Sequence, residues 1–235
     1  LQNLTLGTAG TVFDASVGGH AFTLGSLGGS MTVDLADNAT APNPVALTVG
    51  KNNGSTTFGG SLTGAGSLTK VGTGSLTLSG TNSFGGGLTV TPGAGSVTAS
   101  AVGALGLGPV VNQAVLNLTA GSVAYSGLSA ALSGTGTVNV TLGTAANTTT
   151  LGGDYSAFTG VWNLGVGATA GAGKAQMNGA DNSAATVNVL SNATLFAPVG
   201  SHGAAVVLRG GDTGESVGQW RWDGGAVWTG PITLG

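Results

Sequence analysis

The sequence predicts an all-β chain wound as a parallel β-solenoid, and three observations carry that reading. Of 235 residues, 47 are Gly and 52 are Ser or Thr, while only 8 acids and 5 bases carry charge, against about 25% charged residues and about 7% Gly in an ordinary soluble domain. Each interior Gly costs a helix roughly 1 kcal/mol relative to Ala, and no long Leu/Ala/Glu/Lys run offsets that, so helices are not expected. Short runs of alternating apolar and polar residues recur between Gly, Asn, Asp or Ser, spaced by roughly ten residues as strands and turns are. The low charge and a hydrophobic content of 41% also separate the chain from disordered sequences, which are highly charged and poor in apolar residues.

Taken in order, the runs are LTLG (4–7), FTLGSL (22–27), MTVDL (31–35), VALTVG (45–50), SLTLSG (75–80), GLTVT (87–91), AVLNLT (114–119), TVNVTL (137–142), TVNVL (186–190), AVVL (205–208) and ITLG (232–235). Within each the period is two. Leu76 and Leu78 share one face while Ser75, Thr77 and Ser79 share the other, and Val138, Val140 and Leu142 oppose Asn139 and Thr141. One face of each strand therefore seeks a core.

A closed antiparallel sandwich or barrel and a parallel solenoid share this pattern, and the composition favours the solenoid. The turns seldom carry the Asn-Gly or Asp-Gly pairs of two-residue hairpins. The inward residues are mostly Leu, Val and Ala, with 5% aromatics overall, as a narrow core of stacked coils would use. Stacking at about 4.8 Å would also set like charges upon one another, and Thr, Ser and Asn avoid that repulsion. Three strands per coil give on the order of eight coils, a rod about 40 Å long at one strand spacing per coil. A single elongated domain over 1–235 is expected, with a repeat-like core over 61–119 and looser, Trp-containing coils over 151–235. The stretch ADNATAPNP (36–44) reads as a loop protruding from the stack.

Net charge is −3, and the cations Lys51, Lys70, Lys174, Arg209 and Arg221 are scattered, so no basic stripe is available to neutralise nucleic-acid phosphates. There is no Cys, which excludes disulfides, thiolate metal sites and Cys nucleophiles. No apolar run approaches the roughly 18 residues of a membrane helix, so no direct membrane insertion by a helix is expected.

Residues 64–86 read GAGSLTKVGTGSLTLSGTNSFGG, followed by GLTVTPGAGSV. The spacing of Gly64, Gly66, Leu68, Lys70, Gly72, Gly74, Leu76, Leu78, Gly80, Asn82, Phe84 and Gly86 resembles the autotransporter-associated β-strand repeat of bacterial passenger domains, and ALGLGPV (104–110) is similar to its downstream continuation. The sequence departs from that pattern at Gly87, where Thr is usual, and at Val97, where Leu is usual. The resemblance implies a right-handed parallel β-helix on the bacterial cell surface or secreted across the outer membrane. The repeat is structural and brings no catalytic residues and no cofactor. The chain holds no set of long amphipathic strands with aromatic girdles, so an internal or processed passenger fragment is expected.

Gly214, Ser216 and Gly218 spell G-x-S-x-G, with His202 and Asp212 or Asp223 available for a triad, but so Gly- and Ser-rich a chain produces about one such match by chance, and no helix follows to form a nucleophile elbow. Gly173 and Lys174 end a phosphate-loop pattern whose first Gly is Ala168 and whose final Ser/Thr is Ala175, so that motif fails. Asp34 with Asp37, and Asp212 with Glu215, offer carboxylate pairs for Ca²⁺ or glycoside chemistry, yet Asp closes turns on its own backbone without a ligand. Seven N-x-S/T triplets (Asn3, Asn38, Asn53, Asn117, Asn139, Asn147, Asn192) reflect the polar faces of strands. Thr89 and Thr91 form a T-x-T pair similar to ice-binding ladders, but the pair does not recur along the chain, and antifreeze activity is not expected.

Trp220 and Trp222 share a strand face, with Arg221 opposite and Trp228 close behind. They read either as closure of the last coils or as a platform for stacking sugars. The leading expectation is a non-enzymatic extracellular structural or adhesive segment whose partners are surface glycans or a host or neighbouring cell. A carbohydrate-binding module built on Trp220, Trp222, Trp228 and Arg221 is the first alternative. A filament subunit associating head to tail is the second, since LTLG at 4–7 and ITLG at 232–235 are similar strands with open edges.

Overall fold

In a computed structural model the chain is a parallel β-solenoid of about eight turns with almost no helix. The structure describes residues 3–6, 11–119, 128, 131–143, 148–167, 173–178, 181, 184–197, 201–210, 220–222 and 225–235, the side chains of 3–6 and of Trp222 aside. Two compact units divide the chain, Leu1–Val115 and Leu116–Gly235.

In the first unit, strands Asn3–Leu6, Ser26–Gly29, Thr56–Phe58, Leu76–Leu78 and Ser96–Ala99 form one parallel ladder. Ala21–Thr23, Ala46–Val49, Ser67–Lys70, Leu88–Val90 and Val110–Asn112 form a second, and Val33–Asp34 pairs with Leu62–Thr63 on a third side. The run FTLGSL, read as one strand, is split: Ala21–Thr23 belongs to the second ladder and Ser26–Gly29 to the first. Leu24 and Gly25 make the corner between two sides of a coil, and a corner leaves no mark on an alternating pattern.

The stack is possible because each residue meets its equivalent one coil earlier. Leu47, Leu68, Leu88 and Val110 sit in register and are all buried, and contacts such as Ser75 to Ser55, Thr91 to Lys70 and Asn82 to Ala104 span 20, 21 and 22 residues. Glycine serves this stacking more than it serves the turns. Only Gly64 and Gly72 among the repeat glycines have positive φ, at 87° and 69°, where Gly is strongly favoured. A Cβ on Gly80 would run into the Gly60 carbonyl, and one on Gly74 into that of Gly54. These glycines are needed because successive coils touch there.

The second unit repeats the plan with larger side chains and uneven coils. Thr137–Thr141, Val161–Leu164, Thr186–Val189, Ala205–Leu208 and Ile232–Leu234 form one ladder, and Thr148–Leu151, Lys174–Met177, Thr194–Ala197 and Trp220–Trp222 form another. Trp162 lies fully buried between Tyr155 and Phe158, with ring centroids 5.1 and 5.4 Å away in edge-to-face contact. Outside this core runs an amide ladder. The Nδ2 of Asn139 donates to Asn117 Oδ1, that of Asn163 to Asn139 Oδ1, and that of Asn188 to Asn163 Oδ1, each at 2.9 Å. The half-buried amides thereby satisfy one another, which gives the excess of N-x-T triplets at Asn117 and Asn139 a structural reason.

Asn163 both donates and accepts in this ladder, whereas Asn188 only donates. At about 0.5–1.5 kcal/mol per net hydrogen bond, Asn163→Ala is expected to cost ~1–3 kcal/mol and Asn188→Ala about half that, as read from urea-unfolding midpoints. Equal losses would remove the ladder as a stabilising element.

Candidate functional site

The motif residues that resemble the β-strand repeat lie inside the first unit. Leu68, Leu76, Leu78 and Phe84 are fully buried in its core. Lys70 is buried with them, stacked between Val49 and Val90, and its Nζ donates to the carbonyls of Val71 at 2.6 Å and Gly72 at 2.9 Å. The stem packs as an aliphatic residue while the ammonium closes the following turn. Burial pushes the Lys70 ammonium below its ordinary value. Asn82, also buried, accepts from the Leu62 N–H at 2.7 Å and donates to the Ala104 carbonyl at 2.5 Å, so one side chain links three successive coils.

The loop at 36–44 is closed in the same way by Asp37. Its Oδ1 accepts from the N–H groups of Asn43 at 2.9 Å and Ala39 at 3.1 Å, and its Oδ2 accepts from Asn43 Nδ2 at 2.9 Å. Those bonds, led by Asn43, hold the carboxyl below the usual carboxylate range. Asp34 instead meets the Thr63 hydroxyl at 3.3 Å. Asp37 Oδ2 also lies 2.8 Å from His20 Nδ1. The expected turn chemistry thus describes Asp37 at Ala39 and Asn43, whereas Asp34 lies in a strand and meets its register partner Thr63.

The C-terminal aromatic residues of the second unit gather around a pair that sequence spacing missed. His202 Nδ1 donates to Asp181 Oδ2 at 2.9 Å, both side chains being fully buried. Asp181 Oδ1 accepts from Gly203 N at 2.6 Å and Ala204 N at 2.9 Å. Trp228 stacks on the imidazole, with centroids 4.8 Å apart and planes 13° apart, and its Nε1 donates to the Ala204 carbonyl at 3.1 Å. Trp220 meets Trp228 edge to face at 4.9 Å. The carboxylate of His202 is thus Asp181, and neither Asp212 nor Asp223 is needed to hold it. Gly214, Ser216, Gly218, Asp212, Glu215 and Asp223 lie outside the described residues. The signal for Asp181 is its separation of 21 residues from His202, about one coil.

Arg221 points away from this cluster, its guanidinium 5.0 Å above the Phe196 ring. Of Trp222 only the backbone is described, paired with Ala197. Of the four residues expected to form a sugar platform, Trp228 therefore lies on His202, Trp220 lies edge-on to Trp228 and Arg221 lies on Phe196, while the side chain of Trp222 is outside the described residues. Lys174 is the first residue of the strand Lys174–Met177, in register with Thr148 and Thr194.

Register also arranges the outer hydroxyls of the first unit. Thr57, Thr77 and Thr98 stack on one ladder. With a period of two, Ser55, Ser75 and Ser96 flank that column on one side, and Gly59, Ser79 and Ser100 on the other; none of the eight hydroxyl residues is buried. On the second ladder Thr23, Thr48, Thr69 and Thr89 form a single file. The T-x-T pair does not recur in register: Thr89 stacks on Thr69, whereas the position of Thr91 falls on Val71 one coil earlier.

Comparison with protein-family models, with curated proteins and with solved structures finds no match to this chain.

The buried lysine gives a measurable pH dependence. Because the folded chain releases the Lys70 proton before the unfolded chain does, stability rises with pH on the approach from below to the ordinary lysine value near 10.4. Burial pushes the Tyr155 phenol up, so the unfolded phenol ionises first and stability falls again above about pH 10. Urea midpoints of the wild type are expected to climb through the first window, and those of Lys70→Met to stay flat across it. A climb that persists in the variant would assign it to another group.

Proposed function

We propose that this chain is a non-catalytic structural and adhesive segment of a bacterial surface-displayed or secreted protein of the autotransporter kind. One observation carries the reading: the described side chains best suited to chemistry are committed to holding coils together. Lys70 closes a turn, Asn82 joins three coils, Asp37 closes a loop, and Asp181 and His202 form a buried pair under Trp228. The outer faces are left to Thr, Ser and Asn, which suit a wall that is hydrated and uncharged. The β-strand repeat supports the same reading, because each of its chemically distinctive residues has a stacking task in this fold. With one face of Trp228 on His202 and Trp220 edge-on to it, the aromatic cluster serves as core closure before it serves as a sugar platform.

The test is display. Placed upstream of an outer-membrane translocator barrel, the chain is expected to reach the cell surface in a protease-resistant form and to raise attachment to neighbouring cells or immobilised glycans several-fold over the barrel alone. A folded chain that stays inside the envelope, or that turns over a glycoside or ester substrate, overturns the proposal.

A further inference from the structure

We propose that Asn38 is an acceptor for N-linked glycosylation, its side-chain amide taking a sugar from a glycosyl phosphate donor. The Asn-x-Ser/Thr triplet that such transfer requires occurs seven times, and the fold sorts the copies. The side chains of Asn3 and Asn147 are outside the described residues. Asn117 and Asn139 are half-buried and joined to each other in the amide ladder. Thr194, which supplies the hydroxyl of the Asn192 triplet, is fully buried. At Asn53 the amide oxygen accepts from Thr73 N at 2.9 Å, and Ser55 Oγ accepts from Ser75 N at 3.0 Å. A Cβ on Gly74 in the next coil would strike the carbonyls of Asn53 and Gly54. That triplet is laid into the stack along its length, and a transferase could lift it out only by parting two coils.

Asn38, Ala39 and Thr40 are placed differently. They stand in the loop 36–44, which is closed at its base by an antiparallel bridge between Ala36 and Pro44 and by the buried Asp37. Asn38, Thr40, Ala41 and Pro42 are all exposed, as a modified surface loop has to be. Asn38 carries out its structural task with one atom, Oδ1, which accepts from Ala15 N at 2.8 Å. Its Nδ2, the atom that transfer needs, and the Thr40 hydroxyl have no hydrogen-bond partner among the described residues. Nucleophile and hydroxyl thus reach solvent together, on a loop outside the ladders. In the transfer, Nδ2 bonds to the anomeric carbon of the sugar while the bond from that carbon to the phosphate oxygen breaks, its electron pair leaving on the phosphate. One amide proton passes to a base of the transferase. Oδ1 takes no part in the new bond, so the contact to Ala15 survives modification. The proposal is independent of surface display, because the folded chain itself is the substrate.

The experiment incubates the purified, folded chain with a soluble N-glycosyltransferase and UDP-glucose, and in a second arm with an oligosaccharyltransferase and a lipid-linked oligosaccharide. Intact mass and peptide mapping read the product, and the two arms distinguish a nucleotide-linked from a lipid-linked donor. The wild type is expected to gain the mass of one glycan, at Asn38, in at least one arm. Asn38→Asp keeps an oxygen for Ala15 N but has no amide nitrogen, and Thr40→Ala removes the hydroxyl. Both are expected to stay unmodified with unchanged circular dichroism, while Thr40→Ser is modified as the wild type is. A protease digest of the chain is expected to be modified at further triplets, and a digest modified at Asn38 alone overturns selection by the fold. A folded wild type left unmodified in both arms overturns the proposal. So does modification of the folded chain at Asn53, Asn117 or Asn139, or modification of Asn38 that persists in Thr40→Ala.

Discussion

Everything in this molecule depends on parallel strands stacking so that a residue meets its own kind one coil earlier. Strand backbones then bond to each other at every rung, and whatever a side chain is, it is repeated at short range. A carboxylate would face a carboxylate, which is why the outer positions are hydroxyls and amides that can donate and accept in turn. Asn139, Asn163 and Asn188 make this arrangement stabilising, each bonding its neighbour at 2.9 Å. The same constraint governs the glycines, which mark places where one coil's backbone lies against the next.

Much of the fold was legible in the sequence because the period of two survives in most of the described strands. Alternation alone places Leu76, Leu78, Val138, Val140 and Leu142 inward, and all are buried, and a count of about eight coils follows from strand spacing. The corner at Gly25 was not legible, since a chain can turn from one sheet to the next without breaking alternation. The burial of Lys70 was hidden for another reason. Charge ordinarily marks the outside, and only the two carbonyls that its ammonium meets make the inside tolerable.

The candidate sites were less legible than the core, and the limit was coil length. Between residues 46 and 112 of the first unit, coils of 20 to 22 residues place partners predictably, whereas Gly29 and Phe58 are 29 apart. In the second, Asn139 and Asn163 are 24 residues apart and Asn163 and Asn188 are 25, while Asp181 and His202 are 21 apart. No single period therefore pairs the acid with its base. The hydroxyl columns escaped notice because a search along the strand finds T-x-T, whereas the array lies across strands, where Ser and Thr serve equally.

The single side chain of Asn82 has a further consequence. By holding the N–H of Leu62 and the carbonyl of Ala104 at once, it acts as a rivet through three layers, so local opening in this part of the first unit cannot be confined to one layer. Layers without such a fastener can separate one by one from a free edge, and those it clasps must part together. In this part of the first unit, one asparagine thereby adds to the resistance to pulling layers apart.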